Sequence, residues 1–200
     1  MDIDKYKNNG WGLSIESFSI IKDTLDKLFS QKKTVRVVEF GSGTSTRFLL
    51  DYKTEYDVDL NITSFDNDEK YMYKHKCVKL RPLVECKDDS FEKMFLEKKI
   101  YKNLFVLRKD PSQTRQRNCF YDIREGDLEG IFDLVILDGP NGNGRSLSFL
   151  YLQNKIDGYL MIDDYNHYDF VQRAKLIFPK YETLQTVNNC VSNCFEFSKV

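Results

Sequence analysis

The chain has 200 residues, of which 41% are hydrophobic and 30% are charged. This balance excludes an intrinsically disordered or membrane-embedded class of protein and leaves room for one domain with a core. The formal net charge is −1, which argues against a protein that holds DNA by its phosphates, because such proteins present a basic face. We therefore expect a single domain over residues 1–200 and no DNA partner.

The N-terminus and the cysteines indicate a cytoplasmic protein. Residues 1–12 lack the basic and then apolar pattern of a signal peptide, and the apolar runs fall short of the roughly 18 residues that span a bilayer. The five cysteines do not suggest a disulfide framework. Cys190 and Cys194 are close in sequence, but no second Cys or His pair completes a zinc site. We expect reduced thiols, cytoplasmic localisation and no membrane span.

In chain order, helical and extended patterns alternate. Ser14 can cap an amphipathic helix over residues 14–29, and a β-branched strand at 34–40 then leads into a glycine turn. Residues 132–137 form an almost continuous apolar strand, as is typical of a sheet that is covered on both faces. Further predicted helices begin near Thr44 and cover 69–76, 146–156 and 168–178, and further predicted strands cover 61–65, 78–84, 159–162, 183–187 and 194–200.

This alternation predicts an α/β fold with a doubly wound, Rossmann-like, mostly parallel sheet of seven strands. The last two predicted strands would form an antiparallel hairpin at its end. Residues 84–125 interrupt the alternation with charged pieces and a basic loop, 108–117. We interpret this stretch as a lid or substrate-shaping insertion and not as core. A homodimer is compatible with this architecture.

Acidic residues follow four of the predicted strands. Ligands of open parallel sheets bind at the carboxyl ends of the strands, near the point where the strand order reverses. Glu39, Asp66 and Asp138 stand at three such ends, and Asp163 and Asp164 stand at a fourth. Asp66 is placed to accept hydrogen bonds from ribose hydroxyls. The alternative is that these acids cap the loops and helices that follow them.

The glycine turn after residue 40 differs from that of a dinucleotide site. Gly41 and Gly43 begin a G-x-G-x-x-G pattern, but Thr46 stands where the third glycine belongs. Glu39 would repel a pyrophosphate and attract an ammonium group. S-adenosylmethionine carries an ammonium, a sulfonium and a ribose but no phosphate. The residues therefore favour this cofactor over a nicotinamide dinucleotide, and a dehydrogenase is the less favoured class.

Four motifs in order resemble those of the class I S-adenosylmethionine-dependent methyltransferases. Residues 37–46, Val-Val-Glu-Phe-Gly-Ser-Gly-Thr-Ser-Thr, look like motif I, and Phe65 with Asp66 looks like motif II. Residues 132–140, Phe-Asp-Leu-Val-Ile-Leu-Asp-Gly-Pro, look like motif IV. Residues 158–164, Gly-Tyr-Leu-Met-Ile-Asp-Asp, resemble the strand-five motif of small-molecule O-methyltransferases. The resemblance covers the chain apart from its first ten or so residues and the stretch 84–125.

The resemblance implies S-adenosylmethionine as cofactor, with Asp66 on its ribose and Asp138 beneath its sulfonium. It also implies that Asp138, Asp163 and Asp164 hold Mg²⁺, because three carboxylates cluster only when a hard cation neutralises them. Asp138, Asp164 and His167 are the candidate catalytic residues, with His167 as a general base. The implied cofactor-binding residues are Glu39, Gly41, Ser42, Gly43, Thr44, Asp66 and Asp138.

Three arginines are candidate substrate residues. Arg115, Arg117 and Arg145 could clamp a phosphate or carboxylate, although a solvated surface turn is the simpler reading of the basic loop. The Asp-Gly-Pro motif followed by Gly144 and Arg145 resembles methyltransferase-like proteins of surface-glycan pathways. We expect methyl transfer to a hydroxyl of a small polar acceptor, namely a sugar, nucleotide-sugar or glycan unit. The alternatives are RNA or protein methylation, and a catalytically inactive cofactor-binding partner subunit.

Overall fold

The computed structural model describes residues 1–7, 12–109, 117–165, 168–178, 181–186 and 192–197, the last two stretches as backbone only. The helices are α1 (Ile15–Gln31), α2 (Thr44–Glu55), α3 (Asp88–Leu96), α4 (Leu147–Tyr151) and α5 (Phe170–Ile177), with 3-10 turns at Asp4–Tyr6, Lys102–Leu104 and Asn143–Ser146. The strands are β1 (Thr34–Phe40), β2 (Asp59–Asp66), β3 (Val78–Leu80), β4 (Leu83–Glu85), β5 (Val106–Leu107), β6 (Cys119–Tyr121), β7 (Phe132–Leu137), β8 (Ile156–Asp163), β9 (Tyr181–Thr186) and β10 (Ser192–Phe197). No helix within these stretches is both long and apolar enough to cross a membrane.

Helix α1 begins where the sequence predicts. The Ser14 side chain accepts a hydrogen bond from the Ser17 backbone N–H at 3.1 Å, which satisfies one of the free donors of the first turn. The apolar side chains at the helical period are buried, Phe18 and Leu25 completely. Burial of this face fixes α1 against the sheet, and the predicted cap is confirmed.

Seven strands form one sheet in the order β3-β2-β1-β7-β8-β10-β9. The first five are parallel to one another, whereas β10 is antiparallel to both β8 and β9. The predicted mostly parallel α/β arrangement is confirmed, as is the antiparallel pairing of its C-terminal strands. Because β2 and β3 lie on one side of β1 while β7 and β8 lie on the other, the strand order reverses between β1 and β7. A crevice is expected outside the carboxyl ends of these two strands.

Each face of the sheet carries its own hydrophobic cluster. Val37 packs in the cluster that contains α1 and α2, whereas its neighbour Val38 packs in the cluster that contains α3, α4 and α5. Ile136 and Leu137 of β7 divide in the same way, because successive side chains of a strand point to opposite faces. Covering both faces explains why all of β7 is buried. This confirms the interpretation of residues 132–137 as a strand covered on both sides.

The helix predicted for residues 69–76 is wrong. These residues form turns and bends after β2. Side chains capture the backbone N–H groups that a helix would need: Asp66 accepts from the next two residues, and the Ser42 hydroxyl accepts from the Tyr73 N–H. Such local bonds compete directly with the helical ladder. The loop is therefore tied to the glycine turn.

Two further predicted boundaries are wrong. The strand predicted for residues 78–84 divides around Pro82 into β3 and β4, which join different sheets. Proline has no backbone N–H to donate to a ladder. The helix predicted for residues 146–156 ends at Tyr151, because Asn154 adopts a left-handed conformation with φ 62° and turns the chain into β8.

Residues 84–125 contribute to the core, which corrects their interpretation as a lid outside it. Strands β5, β4 and β6 form a separate antiparallel sheet in that order. Phe91, Phe95, Phe120 and Tyr121 are buried and belong to the cluster on the second face of the main sheet. A role of this stretch in shaping a substrate site stays a prediction.

Candidate functional site

A cleft of about 780 Å³ opens at the carboxyl end of β1, where the strand order reverses. Its volume is in the range of small-molecule sites. Tyr71, in the loop after β2, also lines the cleft, and 69% of its surface is exposed. The lining residues are Gly12, Leu13, Gly41, Ser42, Gly43, Thr44, Ser45, Tyr71 and Asp138. They include four of the predicted glycine-turn residues and the predicted Asp138.

The turns after β1 and β7 touch through their glycines. Gly41 has φ 97°, and a Cβ atom built on it would lie 2.7 Å from the Gly139 backbone nitrogen. The Phe40 carbonyl accepts hydrogen bonds from the N–H groups of Asp138 at 2.9 Å and of Gly139 at 2.5 Å. Any side chain at Gly41 would separate the two turns, so this glycine is required by close backbone approach as well as by its conformation.

Asp66 fixes the shape of the glycine turn. One carboxylate oxygen accepts hydrogen bonds from the Ser42 N–H at 3.1 Å and the Ser42 hydroxyl at 2.7 Å. The other accepts from the N–H groups of Asn67 at 2.7 Å and Asp68 at 3.0 Å. A carboxylate offers about four acceptor positions, so the protein itself already engages this group fully. Asp66 is thus a preorganised anchor of the turn, and its contact with a ribose stays a prediction.

Glu39 is completely buried behind the glycine turn. Its Oε2 accepts hydrogen bonds from the hydroxyls of Ser64 at 2.6 Å and Thr46 at 2.5 Å. Burial raises the pKa of Glu39 to about 7, although the nearby hydroxyls of Ser45, Ser64 and Thr46 favour its charged form. Its Oε1 has no hydrogen-bond partner of normal geometry in the described part of the chain. A buried acceptor of this kind can be satisfied by a cationic donor.

Thr46 has a specific structural role that the sequence analysis did not identify. Its hydroxyl donates to Glu39 and accepts a hydrogen bond from the Gly43 N–H at 3.1 Å. The residue that replaces the third glycine therefore connects the buried acid to the turn. A threonine three residues after a turn glycine is the signal that could have revealed this link.

Asp138 and Asp163 form a hydrogen-bonded pair at the ends of β7 and β8. Burial, together with the neighbouring charges of Asp138 and Asp164, raises the pKa of Asp163 to about 8. Burial also raises the pKa of Asp138, while Arg145 and the bond from Asp163 oppose that rise. At neutral pH Asp163 therefore keeps a proton and donates it to the Asp138 carboxylate. The pair presents one charged oxygen acceptor at the cleft.

Arg145 places a positive charge beside Asp163 and Asp164. Its side chain is 3% exposed, and it donates to the carbonyls of Pro140 at 3.1 Å and Asp163 at 2.8 Å. It also pairs with the Asp164 carboxylate at 3.5 Å. This placement argues against the predicted contact of Arg145 with a substrate. The guanidinium ties the loop after β7 to the end of β8.

The three acids of the predicted magnesium site do not group as metal ligands in the structure. Asp138, Asp163 and Asp164 all lie in the described stretches, but nowhere in those stretches do three His, Cys, Asp or Glu side chains group as metal ligands. The Arg145 guanidinium, which pairs with Asp164 at 3.5 Å, already places a positive charge beside these acids. This arrangement argues against a resident metal at these residues, and binding of Mg²⁺ stays a prediction.

The remaining predicted residues are only partly placed. Arg117 lies on the surface with 73% of its side chain exposed, where it pairs with Asp88 at 3.1 Å. Arg117 therefore occupies a solvated position. Arg115 and His167 lie outside the described residues. Asp164 directly follows β8 in a left-handed conformation with φ 56°, and its side chain is partly exposed.

No family model, curated protein or solved structure matches this chain. The features that bear on function are therefore the reversal of strand order, the glycine turn and the buried acids. Together they place acidic side chains at and beside the cleft.

Proposed function

We propose that this protein is an S-adenosylmethionine-dependent methyltransferase that modifies a hydroxyl of a small polar acceptor, namely a sugar, nucleotide-sugar or glycan unit. The observation that carries the proposal is the buried Glu39, whose Oε1 lacks a partner in the described part of the chain behind the glycine turn. A ligand ammonium group above the turn would compensate that acid. The proposal includes a class I, Rossmann-like fold.

The strand order supports this fold. Numbered by their order along the chain among the parallel strands, β3-β2-β1-β7-β8 reads 3-2-1-4-5. This is the order of the doubly wound nucleotide-binding sheets, which take their ligands at the reversal between the first and fourth strands. The cleft beside Gly41 and Asp138 stands at that position.

The charge of the site favours S-adenosylmethionine over a dinucleotide. Carboxyl groups stand at or directly after the ends of three adjacent strands, namely those of Glu39, Asp66 and Asp138. A pyrophosphate would meet like charge in a partly dry cleft, whereas the ammonium and sulfonium groups of S-adenosylmethionine would be attracted. Asp138, which lines the cleft, also offers an acceptor for hydroxyl donors. The residues present fit this cofactor.

When bound, S-adenosylmethionine supplies an electrophilic methyl group on its sulfonium. The protein's part is to hold the acceptor oxygen in line with that methyl group and to remove its proton. We assign the second task to Asp138, because it lines the cleft and because burial raises its pKa, which makes its carboxylate a stronger base than an exposed one. Asp163 and Arg145 hold Asp138 in place and stabilise its charge. Asp164 and His167 stay candidates for contact with the acceptor.

The experiment is methyl transfer from labelled S-adenosylmethionine to a panel of sugars and nucleotide-sugars. We expect Asp138→Asn to lower turnover by about a hundredfold or more, because it removes the general base, while binding of S-adenosylhomocysteine persists. The matched control is Asp89→Asn, an exposed acid in the first turn of α3, which should not change turnover. Transfer by the Asp138→Asn variant at the wild-type rate would remove the base assignment. Cofactor binding without transfer to any acceptor would favour an inactive partner subunit.

A further inference from the structure

The loop after β7 contains two asparagines that are each followed directly by a glycine. They are Asn141 with Gly142 and Asn143 with Gly144. An asparagine in this pairing is chemically reactive, because the backbone nitrogen of the next residue can attack the carbonyl carbon of the side chain. Glycine leaves that approach open, since it has no Cβ and adopts conformations that other residues avoid. The surroundings of each asparagine then decide whether it can react.

Asn143 is held by two reciprocal hydrogen bonds to the second sheet. Its Oδ1 accepts from the Asn118 backbone N–H at 2.8 Å, and its Nδ2 donates to the Asn118 Oδ1 at 2.7 Å. Asn118 is 3% exposed and is fixed in turn, since its Nδ2 donates to the Asp88 carboxylate at 2.6 Å. Both polar atoms of the Asn143 amide are thus engaged, and the amide cannot turn toward Gly144 unless these bonds break.

The backbone around Asn143 is fixed as well. A Cβ atom built on Gly144 would overlap the Cys119 carbonyl oxygen, so these two stretches of backbone are in direct contact. The Ser146 hydroxyl donates to the Asn143 carbonyl at 2.7 Å within the 3-10 turn. The nitrogen of Gly144 and the side chain of Asn143 are therefore held in place by separate contacts.

Asn141 lacks these restraints. Its side chain is exposed and makes no hydrogen bond to any residue in the described stretches. The N–H of Gly142 donates no backbone hydrogen bond within those stretches either, and this glycine has φ 103°. Gly142 is itself buried, but the amide group that would leave belongs to the exposed Asn141. The attacking nitrogen and the side-chain carbonyl can therefore approach each other without loss of a hydrogen bond.

We propose that Asn141 is a site of spontaneous deamidation and that Asn118 protects Asn143 from the same reaction. The Gly142 nitrogen attacks Asn141 Cγ and forms a C–N bond, the bond from Cγ to Nδ2 breaks, and ammonia leaves with the proton of the Gly142 nitrogen. Water then opens the succinimide at either carbonyl, which gives aspartate or isoaspartate. Each product adds a carboxylate to the loop that carries Arg145. The reaction needs only water, so its test is independent of the proposed function.

The test is peptide mapping by mass spectrometry after the purified wild type has been held at mildly alkaline pH. Fragment ions separate the two sites, because exchange of NH2 for OH changes the mass of only those fragments that contain the converted residue. We expect Asn141 to convert about tenfold or more faster than Asn143, because two hydrogen bonds must break before Asn143 can react. In denaturant the two rates should become similar, since both residues precede a glycine.

Asn118→Gly tests the protection directly. It keeps the backbone N–H and suits the left-handed conformation of Asn118, φ 50°, but removes the side-chain partner of Asn143. We expect conversion at Asn143 to accelerate about threefold to tenfold, as for loss of one neutral hydrogen bond, while the rate at Asn141 stays the same. Asn141→Gln is the matched control, which should remove the main product and leave the slow conversion of Asn143 unchanged.

The wild type alone decides the proposal, even if Asn118→Gly does not fold. Incubation continues until the denatured sample has converted at both sites. An Asn141 that stays intact in the folded protein over that time would overturn the deamidation site. Equal rates at Asn141 and Asn143 in the folded protein would overturn the protection by Asn118.

Discussion

Gly41 and Gly139 meet backbone to backbone across the reversal of strand order, with the Gly139 nitrogen 2.7 Å from the place a Gly41 Cβ would take. The contact joins the turn after β1 to the turn after β7, which carries Asp138. It therefore couples the part of the site that would hold the cofactor to the part that would deprotonate the acceptor.

Gly41→Ala should lower the free energy of unfolding by about 2 kcal/mol or more, because it combines a strained φ with a backbone clash. Gly126→Ala is the control, since Gly126 also has positive φ, 80°, but a Cβ there meets only the Glu129 side chain at 3.4 Å. Chemical denaturation of both variants measures the difference. If both variants lost the same free energy of unfolding, the close contact with Gly139 would add nothing to the cost of backbone strain at Gly41.

Asp66→Ala should weaken binding of S-adenosylhomocysteine by about tenfold or more, because it removes charge-assisted hydrogen bonds that order the glycine turn. Ser42→Ala removes one of those bonds and leaves the carboxylate, so we expect a smaller loss, of about threefold. Calorimetric titration of both variants gives the comparison. If Asp66→Ala bound as tightly as the wild type, neither the anchoring role nor the ribose contact could stand.

Glu39 should make stability and ligand affinity respond to pH in opposite directions. Its pKa is about 7 in the folded protein against an ordinary value of 4.5, so the folded state binds more protons between these values. The free energy of unfolding should therefore fall as the pH rises from about 4.5 to about 7, and then level off. An ammonium ligand favours the charged form, so affinity for S-adenosylhomocysteine should rise over the upper part of this window.

Glu39→Gln checks both effects, because glutamine does not titrate. Its unfolding midpoint should lack this fall with pH, and its affinity for S-adenosylhomocysteine should be about tenfold weaker than wild type at pH about 8 and nearly independent of pH. Thermal unfolding and calorimetry over that range provide the readouts. A wild type whose affinity falls as Glu39 ionises would contradict the ammonium assignment.

Because Arg145 lies beside Asp163 and Asp164, we expect stability and turnover of the wild type not to depend on Mg²⁺. Arg145→Met leaves two backbone carbonyls and the nearby carboxylates without their guanidinium partner, and we expect a loss of about 3 kcal/mol in stability. In the wild type, Mg²⁺ and EDTA should give the same unfolding midpoint and the same turnover. Turnover that EDTA abolishes and Mg²⁺ restores would contradict this reading and revive the metal site at Asp163.

The sheet and the ends of its strands could be predicted because local patterns decide them. Residues 34–40 and 132–137 match β1 and β7 residue for residue, since β-branched or continuous apolar runs end abruptly in glycine turns. The positions of Glu39 and Asp138 could be predicted from the same strand boundaries, because each stands at or directly after the end of its strand. Both are properties of short stretches of sequence, which is why they could be predicted without tertiary information.

Pro82 and Asn154 account locally for two wrong boundaries, whereas the other failures involve partners far apart in the chain. Residues 69–76 lost their predicted helix to bonds with Ser42 and Asp66, and Arg145 became a buried counter-ion through contacts with the end of β8. Tyr121 was assigned to an insertion because the stretch 84–125 contains charged pieces and a basic loop, and because its packing partners on β1 and β2 are more than fifty residues away. No local pattern records such contacts.

The most direct test of the account is calorimetric titration of the purified wild-type protein with S-adenosylhomocysteine, with NADH as the competing ligand class. The account predicts a dissociation constant on the order of micromolar for S-adenosylhomocysteine and no binding of NADH, because the acids behind and beside the glycine turn repel a pyrophosphate. Binding of NADH without binding of S-adenosylhomocysteine would contradict it and would favour a dehydrogenase.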